Sequence, residues 1–242
     1  MLRRLRQSSG LAGRPGLLWD NSRAMSNESP SRSVPRSRRW WLPLLVAAAG
    51  IAGAWLAVIV NRAPQPPALE RATLLHTPRP LPDLVLTDHT GTEFPTRRLA
   101  GGWTLLFFGF TNCPDVCPTT LATLVAAGRA LADRPAASRP RVVLVSVDPA
   151  RDSPDKLAAY LGHFDPAFLG LTGTATAIEA LTRGLGVVVQ AQPPDAYGNY
   201  AVDHSAAIFL LDPDGAMRAV FGSPHEADLI ARDYRRIVAA AD

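Results

Sequence analysis

The chain has 242 residues, a net charge of +4, two cysteines and a hydrophobic share of 47%, enough for one ordinary domain beside an accessory segment. The charge is uneven: residues 1–39 hold nine arginines against Asp20 and Glu28, a local +7, which leaves the rest of the chain at −3. A basic balance confined to an N-terminal arm excludes nucleic acid as a partner of the folded part, which would need its cations gathered on one face.

The arm, residues 1–39, is rich in Arg and Ser and poor in acid. That composition suits either a disordered cytoplasmic tail, with Met25 as an alternative start to Met1, or an organellar presequence. Residues Trp40–Val60 then run without a charge, long enough to cross roughly 30 Å of hydrocarbon as a helix. Tryptophans 40, 41 and 55 suit the membrane interface, and the arginines on one side keep the N-terminus inside by the positive-inside rule. The run is long for a signal peptide and leaves through the bulky Val58-Ile59-Val60, so a retained transmembrane anchor is expected. Everything after it is expected outside the cytoplasmic membrane in a bacterial periplasm, or in the mitochondrial intermembrane space as the alternative, where two cysteines can cycle between thiol and disulfide. Residues 61–80 are proline-rich and read as a stiff spacer. The domain is expected over 81–242.

Within it, Leu84–Thr87 and Thr92–Phe94 read as a hairpin about Asp88-His89-Thr90-Gly91. Trp103–Phe110 (WTLLFFGF) reads as a strand buried on both faces, followed by a turn that carries both cysteines, Cys113 and Cys117. Pro118 has the φ suited to a first helical position, so a helix is expected over Pro118–Asp133. Arg141–Asp148 reads as a central strand and Ser153-Pro154 as a capped helix start running to His163. A strand over Phe168–Leu171, a helix over Ala175–Arg183 ended by glycine and a strand over Val187–Gln192 follow. After a loop from Pro193 to Val202, Ala206–Leu211 and Met217–Phe221 flank the turn Asp212-Pro213-Asp214-Gly215, and Ser223–Glu226 reads as a capping box for the last helix. The alternation gives an α/β fold with a mixed central sheet flanked by helices.

The cysteines carry the chemistry. Unpaired N–H groups at a helix start favour a thiolate, the form that attacks disulfides and binds metals. A Cys-x-x-x-Cys spacing lets two sulfurs converge, to bond to each other or to share an ion, and spacing alone does not choose. His204, directly before a strand, is a third candidate, with Asp203 as an acceptor that could orient its ring or merely serve a turn. Two thiolates and an imidazole suit Cu(I), whereas zinc would want four ligands. The length of the loop before His204, with Tyr197, Gly198 and Tyr200, suggests that this histidine arrives only when metal is present. His76, His89, His163 and His225 read as surface or capping residues, and Asp115, Asp148, Arg151 and Asp152 as loop and strand-end residues.

The segments FTNCPDVCPTTL, VLVSVDPARDSPDKL, DPAFLGLTGT, VDHSAAIFLLDPDG and FGSPHEADLI together resemble the Sco/SenC family of copper chaperones for cytochrome c oxidase assembly, from about Leu81 to the C-terminus. The resemblance implies a thioredoxin-like fold behind a membrane anchor and copper, as Cu(I) and also Cu(II), held by Cys113, Cys117 and His204. It further implies delivery to the binuclear copper site of oxidase subunit II or another cuproenzyme, with a periplasmic copper donor or thiol reductant as a further partner. The cysteine pair would form a redox disulfide in that cycle.

Three rivals use the same sulfurs. A thiol-disulfide oxidoreductase of this fold usually carries Cys-x-x-Cys, one residue shorter. A thiol peroxidase wants a threonine three residues before its cysteine, where Pro114 stands. A binuclear electron-transfer copper domain wants further ligands where Leu121 and Leu124 stand. A plain structural disulfide is the bland reading, with His204 then merely capping its strand.

Overall fold

A computed structural model of the protein describes residues 41–60, 67–195 and 200–241. The arm over 1–39, Trp40 and residues 61–66 of the spacer lie outside them. The described chain divides into two units at Arg62.

Among the described residues the first unit holds one helix, α1 (Trp41–Val60), of 20 residues without an acidic or basic side chain. At 1.5 Å per residue it spans about 30 Å, the thickness of a bilayer core. By length and composition it is a candidate membrane span.

The second unit is the expected α/β domain, and its fold is thioredoxin-like, a mixed sheet with flanking helices. The sheet has eight strands: β1 (Ala72–Pro80), β2 (Val85–Asp88), β3 (Glu93–Pro95), β4 (Thr104–Gly109), β5 (Arg141–Ser146), β6 (Leu169–Thr172), β9 (Ile208–Leu211) and β10 (Ala216–Phe221). They lie in the order β1-β10-β9-β4-β5-β6-β2-β3, while β7 (Val189–Ala191) and β8 (Val202–His204) pair only with each other. Strands β4, β5 and β6 are parallel, and β9 runs antiparallel to β4. Every residue of β4 is buried, which is why its sequence carries no alternation.

The helices are α2 (Val116–Ala130), α3 (Pro154–Gly162), α4 (Ala175–Leu185) and α5 (Ala227–Ala241). Ser153 caps α3 by accepting the Lys156 amide at 3.3 Å, with Pro154 at its first position as expected. Thr174 caps α4, and Gly186 ends it in the left-handed region at φ 74°. Leu121 and Leu124 of α2 and Ile230 and Ile237 of α5 enter the core beside β4 and β9.

Three expectations change. The second half of the spacer is not free: Ala72–Pro80 forms β1, the edge strand on β10. Its prolines fit because an outer edge needs no N–H, and the register slips between Leu74 and Arg79, around Pro78. The partner that recruits it is remote. Asp233 on α5 is fully buried and accepts the amides of Glu70, Arg71 and Ala72 at 2.7–3.0 Å. The capping box is also absent: Ser223–Pro224 is a cis peptide and α5 starts four residues after Ser223, at Ala227. His225 is drawn inward instead, its Nε2 bonded to the Ala206 carbonyl at 2.6 Å. His89 is likewise more than a surface residue, since its Nδ1 accepts the Gly170 amide at 2.9 Å.

Asp233→Ala would orphan three consecutive amides at once. The expected loss is about 3 kcal/mol, measured by equilibrium urea unfolding, with amide exchange in β1 rising toward that of unfolded chain. A loss below about 1 kcal/mol would contradict this clamp.

Candidate metal centre

Strand β4 leads out to Phe110 and the cysteine turn, and β9 is entered from His204. In the antiparallel register Phe107 faces Ile208, so the exit of one and the entry of the other meet at the same end of the sheet. Sequence separation of 87 positions between Cys117 and His204 is thereby cancelled.

Cys113 lies in the turn, its amide bonded to the Phe110 carbonyl at 3.2 Å, and it is partly exposed. Cys117 is the second residue of α2 and fully buried. The Cys117 amide, one of the unpaired donors of the first turn, points at the Cys113 Sγ at 3.4 Å. Both cysteines are free thiols. Pro118, expected to open the helix, sits at its third position.

His204 closes the group from the other side. Its Nε2 lies 3.7 Å from the Cys117 Sγ, and its Nδ1 is 3.0 Å from the Ser205 carbonyl. A carbonyl only accepts, so Nδ1 carries the proton and the Nε2 lone pair faces the sulfur. The rings of Phe107 and Phe110 stand edge-on to the imidazole at 6.1 and 6.0 Å. His204 thus has a defined place in the fold beside Cys117. The reason is that it does not belong to the loop but ends β8, where it pairs with Val189. Of that loop, residues 196–199, including Tyr197 and Gly198, lie outside the described residues.

Asp203 does not orient the ring. Alternation along β8 turns it away from His204, and its carboxylate bonds Gln192 across the hairpin; the Ser205 carbonyl holds the imidazole instead. Among the described residues no group of three or more His, Cys, Asp or Glu side chains is gathered at metal-binding distances.

Position also changes the acid chemistry. A helix start favours thiolate, but burial pushes the Cys117 thiol well above its ordinary range, and the hydrogen bond with Cys113 pushes the same way. Desolvation outweighs the helix end because the sulfur is sealed from water. Tyr160 of α3 stands in the same neighbourhood: burial first, then the fields of Cys117 and Cys113, push its phenol up as well.

Two features of the site carry little signal in the sequence. Gly109 leaves the room that Cys117 occupies, since a Cβ there would lie 3.1 Å from its Sγ and 3.0 Å from Leu144 and Phe107 side-chain carbons. Asp152, almost fully buried, accepts the Thr111 amide at 3.0 Å, the Thr111 hydroxyl at 2.5 Å and the Ser146 hydroxyl at 2.6 Å. That carboxylate ties the start of the cysteine turn to the end of β5. Only its place after a strand end hinted at this in the sequence.

With the geometry in view, the similarities are specific. Residues 77–239 match the SCO1/SenC family model. The human mitochondrial SCO2 homolog is 34% identical over 225 residues, covering 92% of this chain and 85% of that protein. A crystal structure of yeast Sco1 with copper bound is similar at 32% identity and a TM-score of 0.61, covering 67% of this chain and 90% of that one. The structure of Bradyrhizobium japonicum ScoI with copper bound is similar at 35% identity and a TM-score of 0.59, covering 65% and 99%.

Exposure and a raised thiol predict unequal reactivity. In reduced, metal-free protein at pH 7–8, iodoacetamide is expected to label Cys113 and to reach Cys117 at least about tenfold more slowly. Equal labelling by peptide mass analysis would contradict the burial of Cys117.

Proposed function

The chain belongs to the SCO1/SenC family, and from that premise we propose that it is a membrane-anchored copper metallochaperone whose cargo is held by Cys113, Cys117 and His204. The observation that carries this reading is the Cys117 Sγ to His204 Nε2 approach of 3.7 Å, with Cys113 joined to the same helix start through the Cys117 amide. Two sulfurs and one neutral imidazole nitrogen suit Cu(I), which accepts soft donors and low coordination. The uncharged helix α1 would keep the domain at the membrane surface, with the arginine-rich arm inside and the domain in the periplasm, or facing the intermembrane space if the setting is mitochondrial.

The recipient in this reading is the binuclear copper site of cytochrome c oxidase subunit II, or another exported cuproenzyme. Exposure supports transfer in a defined order. Cys113 is the sulfur within reach of an incoming ligand, so exchange would begin there while Cys117 and His204 still hold the ion.

A thiol-disulfide oxidoreductase that reduces the cysteines of that recipient is the second reading, and the two free thiols favour it to the extent that Cys113 is accessible. The raised Cys117 thiol disfavours fast turnover. Rapid turnover of a disulfide substrate by metal-free protein that retains no copper would reverse the order of the two.

Reduced protein is expected to retain one Cu(I) per chain after desalting, Cys113→Ser none, and His204→Ala to bind at least about tenfold more weakly with an unchanged circular dichroism spectrum. Equal copper retention by wild type and by the Cys113→Ser, Cys117→Ser double variant would falsify the site. Loading also has a pH signature. Cys117 is a neutral thiol in the metal-free protein, so copper must displace its proton, and affinity is expected to fall about tenfold per pH unit below neutrality for each proton released. Affinity that is flat between pH 6 and 8, measured by competition with a chromophoric chelator, would contradict this.

A further inference from the structure

Among the described residues the hairpin that delivers His204 has no strand partner in the main sheet, β7 and β8 pairing with each other. Beyond its chain connection to β9, side-chain contacts join it to the cysteine turn. Tyr200 stands four residues before His204, and its hydroxyl donates to the Asp148 carboxylate at 2.8 Å. The Arg151 guanidinium carbon lies over the Tyr200 ring, 3.6 Å from its centroid, and 5.8 Å from the centroid of the Phe110 ring. Phe110 in turn stands against His204.

The base of this stack is buried. Arg151 is paired through Nε with the same Asp148 carboxylate, whose side chain is only 3% exposed. The Asp148 amide donates to the Ser146 hydroxyl at 3.1 Å, and that hydroxyl donates to Asp152, which holds Thr111. One face of the network thus fixes the cysteine turn and the other grips the histidine arm. Arg151 is also odd for an arginine outside an active site: its Nη2 is buried with no hydrogen-bond partner among the described residues. A guanidinium held mainly by aromatic faces and one carboxylate is positioned by packing, and desolvation strengthens its attraction to the rings.

We propose that Arg151 and Tyr200 are positioning residues, a stacked clasp that holds the His204 arm on the cysteine turn and so sets how fast copper leaves. Neither touches the three donors. The inference rests on the copper reading above, and it adds to that reading the part of the fold that must loosen before His204 can let go. Docking that separates Tyr200 from Arg151 frees the histidine without disturbing the cysteines.

The test uses the full chain in detergent, loaded with Cu(I) and challenged with excess bathocuproine disulfonate, with release followed by the colour of the chelate. Arg151→Gln is expected to speed release about tenfold. Tyr200→Phe keeps the stacked ring, loses only the bond to Asp148 and is expected to speed release about fivefold. In a His204→Ala background neither substitution should add to the rate, because both act through that imidazole. An unchanged rate, or the same acceleration without His204, overturns the clasp. Should Arg151→Gln fail to fold, Tyr200→Phe decides alone. Wild type that retains no copper would sink the copper reading itself, and the clasp is then judged on metal-free protein carrying ¹³C-labelled histidine: the His204 ring resonances should move in Tyr200→Phe and stay put in Cys113→Ser. No shift in Tyr200→Phe overturns the clasp on its own terms.

Discussion

The pairing of β4 with β9 is the constraint from which the site follows. Each strand is buried along its whole length, so their register is fixed by the core and not by the loops. With Phe107 opposite Ile208, the cysteine turn and the His204 arm have no choice but to leave the sheet side by side. A slip of one residue would exchange the faces of Phe107 and Phe108, take the Phe107 ring from beside His204 and part the donors.

Around that junction the chain replaces water with its own groups. Asp152 accepts from the Thr111 amide and hydroxyl, the Ser205 carbonyl accepts from the His204 Nδ1–H, and Gly109 leaves the space that the Cys117 sulfur fills. The result is an asymmetric pair of thiols. Cys117 is sealed and kept protonated by burial, while Cys113 remains partly open. Such asymmetry suits the proposed copper carrier, since a fully enclosed site would not release and a fully exposed one would not discriminate.

Much of this was legible in the sequence because the signals are local. The uncharged run into Val60, the unbroken apolar strand at Trp103–Phe110 and the Ser153-Pro154 helix start each state their structure within a few residues, and the cysteines and His204 could be named from residue chemistry together with the family resemblance. What was hidden depends on partners far along the chain. Ala72–Pro80 reads as a linker because of its prolines, and only Asp233, more than 150 positions away, makes it an edge strand. Asp203 was open between orienting His204 and serving a turn, and strand alternation turns it outward to Gln192. Helix-end chemistry suggested an easily ionised Cys117, but no local pattern reports the desolvation that reverses it. Arg151 read as a loop residue, although its stacking on Tyr200 joins two segments that sequence alone keeps apart.

The central claim is that two sulfurs and one imidazole nitrogen converge on one ion. X-ray absorption at the copper edge of the Cu(I)-loaded full chain tests it most directly. The account predicts a first shell of two sulfurs and one nitrogen, with the nitrogen lost in His204→Ala and one sulfur lost in Cys113→Ser. A shell that keeps its nitrogen without His204, or that contains fewer than two sulfurs in the wild type, would contradict it.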